Sequence, residues 1–356
     1  MSGAATSEPI AAERREVVAL ARELARRELA PQALALDERR PGAFEAAWKR
    51  IAASGYDRAL LATDDGGVGL DAGSLLGCVE ELAAGEPGVA LQVLLSNAAL
   101  AALPAERAAR IGAAERWAFV PAPPDQVATP ARLATSARRD TPLVLAGTLS
   151  PALGALGADG VVIAHGGEEP VVLALEAEAP GLTIEACEHQ LGLRAAAAAR
   201  VSISPSAEAV ATPAGPSASA SMTLLRAGSA AIARGIIRRA NELALAYACT
   251  RQQGGVAIVE HDAVRRMLAA MAVGLDSLSA PADVVLDESA TLAVKVATTE
   301  AAVAASTDAV QVFGGTGYMR ETGVEKLMRD AKYLQLWPEP NWAADDAIVA
   351  AALGDR

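Results

Sequence analysis

Apolar residues recur at helical spacing over most of this chain, but not over its middle. The stretch from residue 13 to 30, VVALARELARREL included, repeats apolar positions every three to four residues until Pro31 ends the pattern. A second segment, AFEAAWKRIAAS, is followed by Gly55, and a third, AGSLLGCVEELAAGE, follows the Gly- and Asp-rich loop TDDGGVGLD. Residues 1–112 are therefore predicted to form an N-terminal helical domain.

The hydrophobic pattern changes between residues 113 and 211. Short apolar runs, PLVLAG, GVVIAHG, PVVLALE and ARVSISP, alternate there with Gly, Pro and Asp, as strands and turns do. After the connector ATPAGPSASAS, residues 212–356 return to long helical stretches of the length found in helix bundles. The order helix, sheet, helix predicts an α+β protein with a small middle β domain and a C-terminal four-helix bundle.

Composition and charge narrow the range of functions. Hydrophobic residues make up 52% of the chain and aromatic residues only 3%, which predicts a core built by the close approach of small side chains. The net charge of −12 argues against a nucleic-acid-binding protein. The N-terminus lacks the apolar core of a signal peptide, and no apolar run without charges reaches membrane-spanning length. A cytoplasmic protein without a membrane span is the expectation.

Cysteine and histidine give no sign of a metal or redox site. Cys78, Cys187 and Cys249 are widely spaced and form no CxxC pair, so we expect structural burial in a reducing compartment. The three histidines lie far apart, and their spacing supports neither a metal site nor a Ser-His-Asp triad.

Three phrases in the last third of the chain carry candidate chemistry. In TDAVQVFGGTGY, at residues 307–318, the glycines either let backbone N–H groups approach a phosphate or aromatic edge, or simply end a helix. Arg251, in RQQGG at the end of a long helix, suits a pyrophosphate but also suits the helix dipole. In VEKLMRDAK, Glu325 and Arg329 are one turn apart, which favours a charge-laced structural helix.

Together with the order of the domains, these phrases resemble those of the acyl-CoA dehydrogenase family. ELAPQALALDE, TDDGGVGLD and GLTIEACEHQLGLRAAA extend the resemblance over nearly the whole chain. It implies FAD as cofactor, with Gln311, Gly314 and Gly315 contacting the adenosine diphosphate part of an FAD bound to a neighbouring subunit, and Arg251 reaching its pyrophosphate. One departure is Gly254, where the family usually has an aromatic residue.

The reaction that the resemblance implies needs a carboxylate base. The base removes the α proton of an acyl thioester while the β hydride passes to the flavin. In the family this glutamate follows an aromatic residue in a YEGT-like turn, and here that place reads LWPEPNW. Aligned without a gap, Pro338 takes the base position and the mechanism is lost, whereas one inserted residue brings Glu339 there. The position that other members use corresponds to Ser221, which cannot serve as that base.

The middle domain departs from the family as well. Its TEP-like and KxWITN-like phrases, which line the flavin ring, are replaced by AFVPAPPDQ and GTLSPALGALGAD, and the tryptophan is absent. Two functions stay open. The first is an FAD-dependent enzyme with Glu339 as base, an acyl-CoA or acyl-carrier thioester as substrate and a separate electron acceptor. The second is a catalytically degenerate partner subunit that completes the FAD site of another chain, so the oligomer is either a homo-oligomer or a hetero-oligomer.

Overall fold

Helices occupy both ends of the chain, and strands lie between them. The structure, a computed structural model, describes residues 8–122, 127–128, 146–165, 171–204, 210–213, 216–278 and 288–353. The first helices are α1 (Glu8–Leu24), extended by a π-helical turn (Ala25–Leu29), α2 (Ala33–Asp37), α3 (Ala43–Ala53), α4 (Ala72–Gly85), α5 (Pro87–Ala102) and α6 (Ala105–Ala108). The later helices are α7 (Pro216–Thr250), α8 (Asp262–Ser277), α9 (Glu288–Phe313), α10 (Val324–Leu334) and α11 (Ala344–Leu353).

The strands of the middle region form two four-stranded sheets. They are β1 (Trp117–Ala122), β2 (Val127–Ala128), β3 (Ala146–Ala152), β4 (Gly160–His165), β5 (Val171–Glu176), β6 (Leu182–Ala186), β7 (Ala199–Ile203) and β8 (Val210–Pro213). One sheet has the order β1-β4-β5-β8, in which only β1 and β4 are parallel, and the other has the order β2-β3-β7-β6. The predicted division at residue 112 falls in the loop before β1, and that at residue 211 falls within β8.

Alternation along β4 shows how the β domain packs on the helices. Val161 and Ile163 point into the core between the two sheets, whereas Val162 between them joins the helical core. Both faces of this strand are therefore covered, which explains its unbroken apolar run.

The helical core depends on small residues where helices cross. A Cβ on Gly228 of α7 would lie 2.2 Å from the Leu94 side chain of α5, and one on Gly235 would lie 2.5 Å from the Glu80 carbonyl oxygen of α4. These positions admit only glycine at the observed helix spacing. The scarcity of aromatic residues and the frequency of small ones in the sequence thus match the way the core is built.

A buried lysine ties α10 to the N-terminal helices. The Lys326 side chain is 2% exposed, and its ammonium forms ion pairs of 2.6 Å with Glu86 and 2.5 Å with Asp330. Glu86 also caps α5, because its Oε2 accepts a hydrogen bond of 2.6 Å from Val89 N. Asp330 accepts one of 2.6 Å from Leu193 N in the β domain. One ammonium group therefore joins α10, α5 and the middle domain.

Arg329, also on α10, makes a second connection from this helix to the rest of the chain. Its guanidinium donates to Asp37 Oδ2 at 2.8 Å, to Glu325 Oε2 at 2.6 Å and to the Leu191 carbonyl oxygen at 2.7 Å. Asp37 is only 2% exposed. The predicted pair of Glu325 and Arg329 is present on this charge-laced helix, and Arg329 in addition binds both neighbouring domains through Asp37 and Leu191.

Electrostatics at Lys326 favour the charged ammonium. Burial lowers the pKa of Lys326, but the carboxylates of Asp330 and Glu86 outweigh this and raise it above its ordinary value. Burial also raises the pKa of Glu86, although Lys326 opposes that shift. Removing the ammonium leaves two carboxylates buried side by side.

We therefore expect Lys326→Met to lower the free energy of unfolding by about 3–5 kcal/mol, the usual cost of breaking a buried ion pair from one side. Urea denaturation at pH 7 measures this change. Lys332→Met is the matched control, since Lys332 lies on the same helix and is exposed. Equal denaturation midpoints for the two variants would show that the buried cluster does not stabilise the fold.

Candidate functional site

A short loop after α10 carries the residue proposed from the sequence as the base. Asn341 N donates to the Gln335 carbonyl oxygen at 2.8 Å, which closes the loop of residues 335–341 on itself. Trp337 lies within this loop and is 7% exposed, so it packs in the core. Trp342, just beyond the loop, is 73% exposed.

Glu339 is held by an arginine from α7. Its Oε1 accepts a hydrogen bond of 3.0 Å from Arg226 Nε. The Glu339 side chain is 21% exposed and the Arg226 side chain is 14% exposed, so the carboxylate is largely buried but still accessible. Such an orientation suits a base that must meet one proton of a bound substrate.

A lysine from α9 holds the main chain of the same loop. Lys295 is fully buried, and its Nζ donates to the Glu339 carbonyl oxygen at 2.6 Å and to Asn341 Oδ1 at 2.7 Å. Burial, followed by the neighbouring Arg226, lowers the pKa of Lys295 from 10.5 to about 8, although Glu339 and Glu300 act in the opposite direction. The lysine therefore loses its charge at a much lower pH than an exposed lysine does.

Asn341 extends the contacts between the loop and α9. Its Nδ2 donates to Thr299 Oγ1 at 3.0 Å and to Glu300 Oε1 at 2.9 Å. Thr299 in turn donates to the Lys295 carbonyl oxygen at 2.9 Å, one helical turn earlier. The amide of Asn341 thus fits between a lysine, a threonine and a glutamate on one face of α9.

The sequence offered Glu339 as a candidate base but did not point to the residues that hold it, Arg226 and Lys295. Lys295 gives a signal in the sequence, since it is the only basic residue of α9 and interrupts a long run of small and apolar side chains. A lone basic residue in such a run indicates a specific acceptor. Arg226 gives no comparable signal, because α7 contains several other arginines.

The four residues predicted to bind the adenosine end of FAD lie at another place. Arg251 directly follows α7, Gln311 is in the last turn of α9, and Gly314 and Gly315 open the 3₁₀ turn that follows it. Arg251, Gln311 and Gly315 are exposed, and Gly314 is half-buried. The rings of Tyr247 and Phe313 stack with centroids 4.2 Å apart, which places the ends of the two helices side by side.

The glycines offer the open backbone that a phosphate needs. A Cβ on Gly314 or Gly315 would meet no atom within 4 Å. Gly314 has a φ of +61°, a conformation that few other residues adopt readily. Combined with the guanidinium of Arg251 and the amide of Gln311, this donor set fits a diphosphate presented from outside the chain.

Within one chain, the loop of residues 335–341 and this second place are far apart. Arg226 and Lys295 both contact the loop near the beginnings of α7 and α9, and Tyr247 and Phe313 stack near their ends, so the two helices run parallel. At 1.5 Å per residue, roughly 30 Å of helix separates the two places. The predicted site residues therefore form two groups rather than one site.

The β-domain stretch expected near the flavin ring turns into the core. Leu153, after strand β3, is buried, and a Cβ on Gly154 would lie 2.6 Å from the Gln92 side chain of α5. Ser150, by contrast, is exposed, with its Oγ 3.7 Å from Cys187 Sγ. Residues 123–126 of AFVPAPPDQ lie outside the described residues. The described part of this region offers no tryptophan to the flavin ring.

Several further residues lie outside these two groups. Ser221 is buried and donates to the Ala98 carbonyl oxygen at 3.1 Å, and Glu242 is exposed beside Arg239. Within the described ranges, no cluster of three or more His, Cys, Asp or Glu could hold a metal ion. Cys78 is buried, but Cys249 is exposed, so the expectation of buried cysteines is wrong for it. None of the helices among the described residues is long and apolar enough to cross a membrane.

Two models of one protein family match this chain. The model of the acyl-CoA dehydrogenase N-terminal domain matches residues 11–117, and that of the acyl-CoA dehydrogenase C-terminal domain matches residues 216–338. The second match ends one residue before Glu339.

Individual relatives match parts of the chain. Cyclohex-1-ene-1-carbonyl-CoA dehydrogenase from Geobacter metallireducens is 38% identical over 121 residues, which cover 32% of this chain and 32% of that protein. The probable acyl-CoA dehydrogenase YngJ from Bacillus subtilis is 32% identical over 178 residues, which cover 46% of this chain and 47% of that protein. Both matches span less than half of the relative's length.

Solved structures share the whole fold at low identity. Glutaryl-CoA dehydrogenase from Mycobacterium smegmatis superposes with a TM-score of 0.81 at 19% identity, covering 97% of this chain and 96% of that one. Butyryl-CoA dehydrogenase from Megasphaera elsdenii gives a TM-score of 0.78 at 20% identity, with 99% and 100% covered. A glutaryl-CoA dehydrogenase from Mycobacterium smegmatis in complex with FADH2 gives 0.82 at 18% identity, with 96% and 95% covered. At these identities the likeness concerns the fold alone.

Proposed function

This chain belongs to the acyl-CoA dehydrogenase family, and on that premise we propose that it desaturates an acyl thioester between Cα and Cβ. FAD, the cofactor of the family, supplies the hydride acceptor when bound. Glu339 removes the α proton, and its backbone N–H helps to polarise the thioester carbonyl. The substrate is an acyl-CoA or an acyl group on a carrier protein, and a separate electron acceptor reoxidises the cofactor.

The observation that carries the proposal is the fixed position of Glu339. A carboxylate on a free loop would be a poor base, because proton removal requires a defined distance and direction. Here Arg226 binds its side chain and Lys295 binds its main chain, while about one fifth of the side chain stays exposed. This arrangement supports the alignment in which one inserted residue brings Glu339 to the base position.

The separation of about 30 Å between Glu339 and the open glycines bears on the oligomer. Gly314, Gly315, Gln311 and Arg251 face outward at the far end of the two parallel helices. In the proposed oligomer, these four residues bind the adenosine end of an FAD whose flavin ring is held by another subunit. Glu339 lies beside a second FAD, whose adenosine end is held by another subunit. The proposed enzyme is therefore an oligomer in which each cofactor is shared between two chains.

Replacing the base tests the proposed reaction. We expect Glu339→Gln to lower the turnover of saturated acyl-CoA thioesters by about 10²- to 10⁴-fold, because glutamine keeps the shape of glutamate without its basicity. Turnover is followed with an artificial electron acceptor. Glu242→Gln, an exposed carboxylate on α7, is the control and should keep the wild-type rate. Equal rates in the wild type and Glu339→Gln would remove Glu339 from the mechanism.

Adding a side chain at Gly315 tests whether this residue helps to bind the adenosine end of FAD. We expect Gly315→Leu to weaken FAD binding about 10-fold or more, because its side chain occupies the space through which a diphosphate reaches the backbone. Its thermal midpoint should stay unchanged, since the added side chain meets no protein atom within 4 Å of its Cβ. Calorimetric titration with FAD measures the affinity. The matched control is Gly274→Leu on α8, which is equally open, and FAD affinities that fall alike in both variants would refute the assignment.

A second function is favoured by the β domain. Its flavin-ring phrases are replaced, and Leu153 and Gly154 pack against α5 instead of facing outward. The chain then serves as a partner subunit, which uses Gln311, Gly314, Gly315 and Arg251 to hold the adenosine end of an FAD whose flavin ring is bound by a different chain.

The flavin absorbance of purified protein separates the two functions. For a partner subunit, we expect the lone chain to stay colourless after reconstitution with FAD. Co-expression with a family member that has intact flavin-ring phrases should give a yellow complex, and Gly315→Leu in this chain should reduce its FAD content. A lone chain that is yellow and active excludes the partner-subunit function.

A further inference from the structure

Lys295 is a charged residue in a fully buried position. Its side chain is fully buried within α9, a helix that otherwise presents small and apolar residues to its neighbours. Burying an ammonium group is costly unless specific acceptors replace its water shell. The acceptors here are the Glu339 carbonyl oxygen and Asn341 Oδ1, at 2.6 and 2.7 Å. Both belong to the loop of residues 335–341.

The two acceptors are placed so that one ammonium group holds the Glu339 main chain and the side chain of Asn341, two residues later. The loop is already closed by the hydrogen bond between Asn341 N and the Gln335 carbonyl oxygen. Lys295 fixes Glu339 and Asn341 directly against α9, whereas Arg226 approaches the Glu339 carboxylate from α7. Removing Lys295 leaves the carboxylate paired with Arg226 but releases the backbone that carries it.

We infer that Lys295 is a positioning residue for the base, which sets where the Glu339 carboxylate stands by clamping the backbone of its loop. The inference deepens the proposed function and rests on Glu339 as the base. Lys295 Nζ contacts the loop at the main-chain carbonyl oxygen of Glu339 and at the side-chain oxygen of Asn341. Displacing a reacting group by about 1 Å lowers an enzymatic rate on the order of 10²-fold, so such a clamp affects turnover strongly.

The charges around Lys295 make this clamp sensitive to pH. The charged groups that face it are Arg226 on α7, Glu339 in the loop and Glu300 on α9. Its pKa is lowered to about 8, so the ammonium is charged below that pH and becomes neutral above it. Charge-assisted hydrogen bonds are roughly twice as strong as neutral ones, so both contacts weaken as the pH rises through 8. The loop should be held tightly at pH 7 and loosely at pH 9.

Two tryptophans report on this loop without any assay of activity. Trp337 lies inside it and Trp342 directly after it, whereas Trp48 and Trp117 belong to other parts of the molecule. The full chain is labelled with 5-fluorotryptophan, and its four fluorine NMR signals are assigned with Trp337→Phe and Trp342→Phe. In the wild type, we expect the signals of Trp337 and Trp342 to shift with a midpoint near pH 8, while those of Trp48 and Trp117 stay in place.

Lys295→Met removes the clamp and should abolish this titration. Its Trp337 and Trp342 signals should already be displaced at pH 7 and should not change up to pH 9. Lys49→Met, a substitution of an exposed lysine on α3, is the control and should titrate like the wild type. If the signals of Lys295→Met coincide with those of the wild type at pH 7, the inference is wrong.

Turnover then connects the clamp to the base. We expect Lys295→Met to lower kcat on the order of 10²-fold with little change in KM, and to cause no further loss when combined with Glu339→Gln. An equal loss in the Glu339→Gln background shows that Lys295 acts elsewhere and overturns the inference. Should Glu339→Gln prove fully active, the proposed function fails, while the fluorine signals still decide whether Lys295 holds the loop.

Asn341→Ala provides a milder variant in case Lys295→Met does not fold. It removes one of the two acceptors and leaves the contact of Lys295 with the Glu339 carbonyl oxygen. We expect a smaller displacement of the Trp342 signal at pH 7 and a loss in kcat of about 10-fold, since half of the clamp remains. Wild-type signals and a wild-type rate in a folded Asn341→Ala protein contradict the inference.

Discussion

The structure depends above all on the buried ammonium of Lys326. An unpaired charge in a protein interior is so costly that its partners have little freedom, and here the partners are Glu86 and Asp330. Glu86 begins α5, and Asp330 binds the backbone of the β domain at Leu193. Two parts of the chain that are distant from α10 in sequence, the start of α5 and the β domain, therefore contribute to its position. Hydrophobic contact is non-directional, whereas these ion pairs and hydrogen bonds require defined positions of their partners.

The fixed helix matters because the loop with Glu339 starts where α10 ends. The loop is held at one end by α10 and on its sides by Arg226 and Lys295, which come from two different helices. Three independent elements thus agree on the position of one carboxylate. Burying Lys295 in α9 is costly unless acceptors replace its water shell, and both of its acceptors belong to this loop, so a specific contact holds the loop against α9.

The spacing of apolar residues predicted the order of helices and strands well, because an element that buries one face repeats its apolar residues at the period of that element. The sequence could not show which charges are buried. Arg329 reads as the partner of Glu325 four residues away, but its contact with Asp37 joins residues nearly three hundred positions apart. The sequence also could not show that Cys249 is exposed, contrary to the expectation that the cysteines are buried. Hydrophobic periodicity shows which face of a helix or strand is apolar. Whether a particular side chain is buried or ion-paired depends on which other elements pack against that face.

The parallel course of α7 and α9 separates the two groups of candidate residues, and their surroundings differ. Near Glu339, the side chains of Arg226 and Lys295 hold the loop of residues 335–341 through contacts within the chain, so substitution of either disturbs the fold. At the other end Gln311 and Gly315 are exposed and contact little of their own chain. Gly314 has a φ of +61°, whereas a side chain at Gly315 would meet no atom of the chain within 4 Å of its Cβ. The backbone conformation therefore favours glycine at the first position, and packing within the chain does not require it at the second.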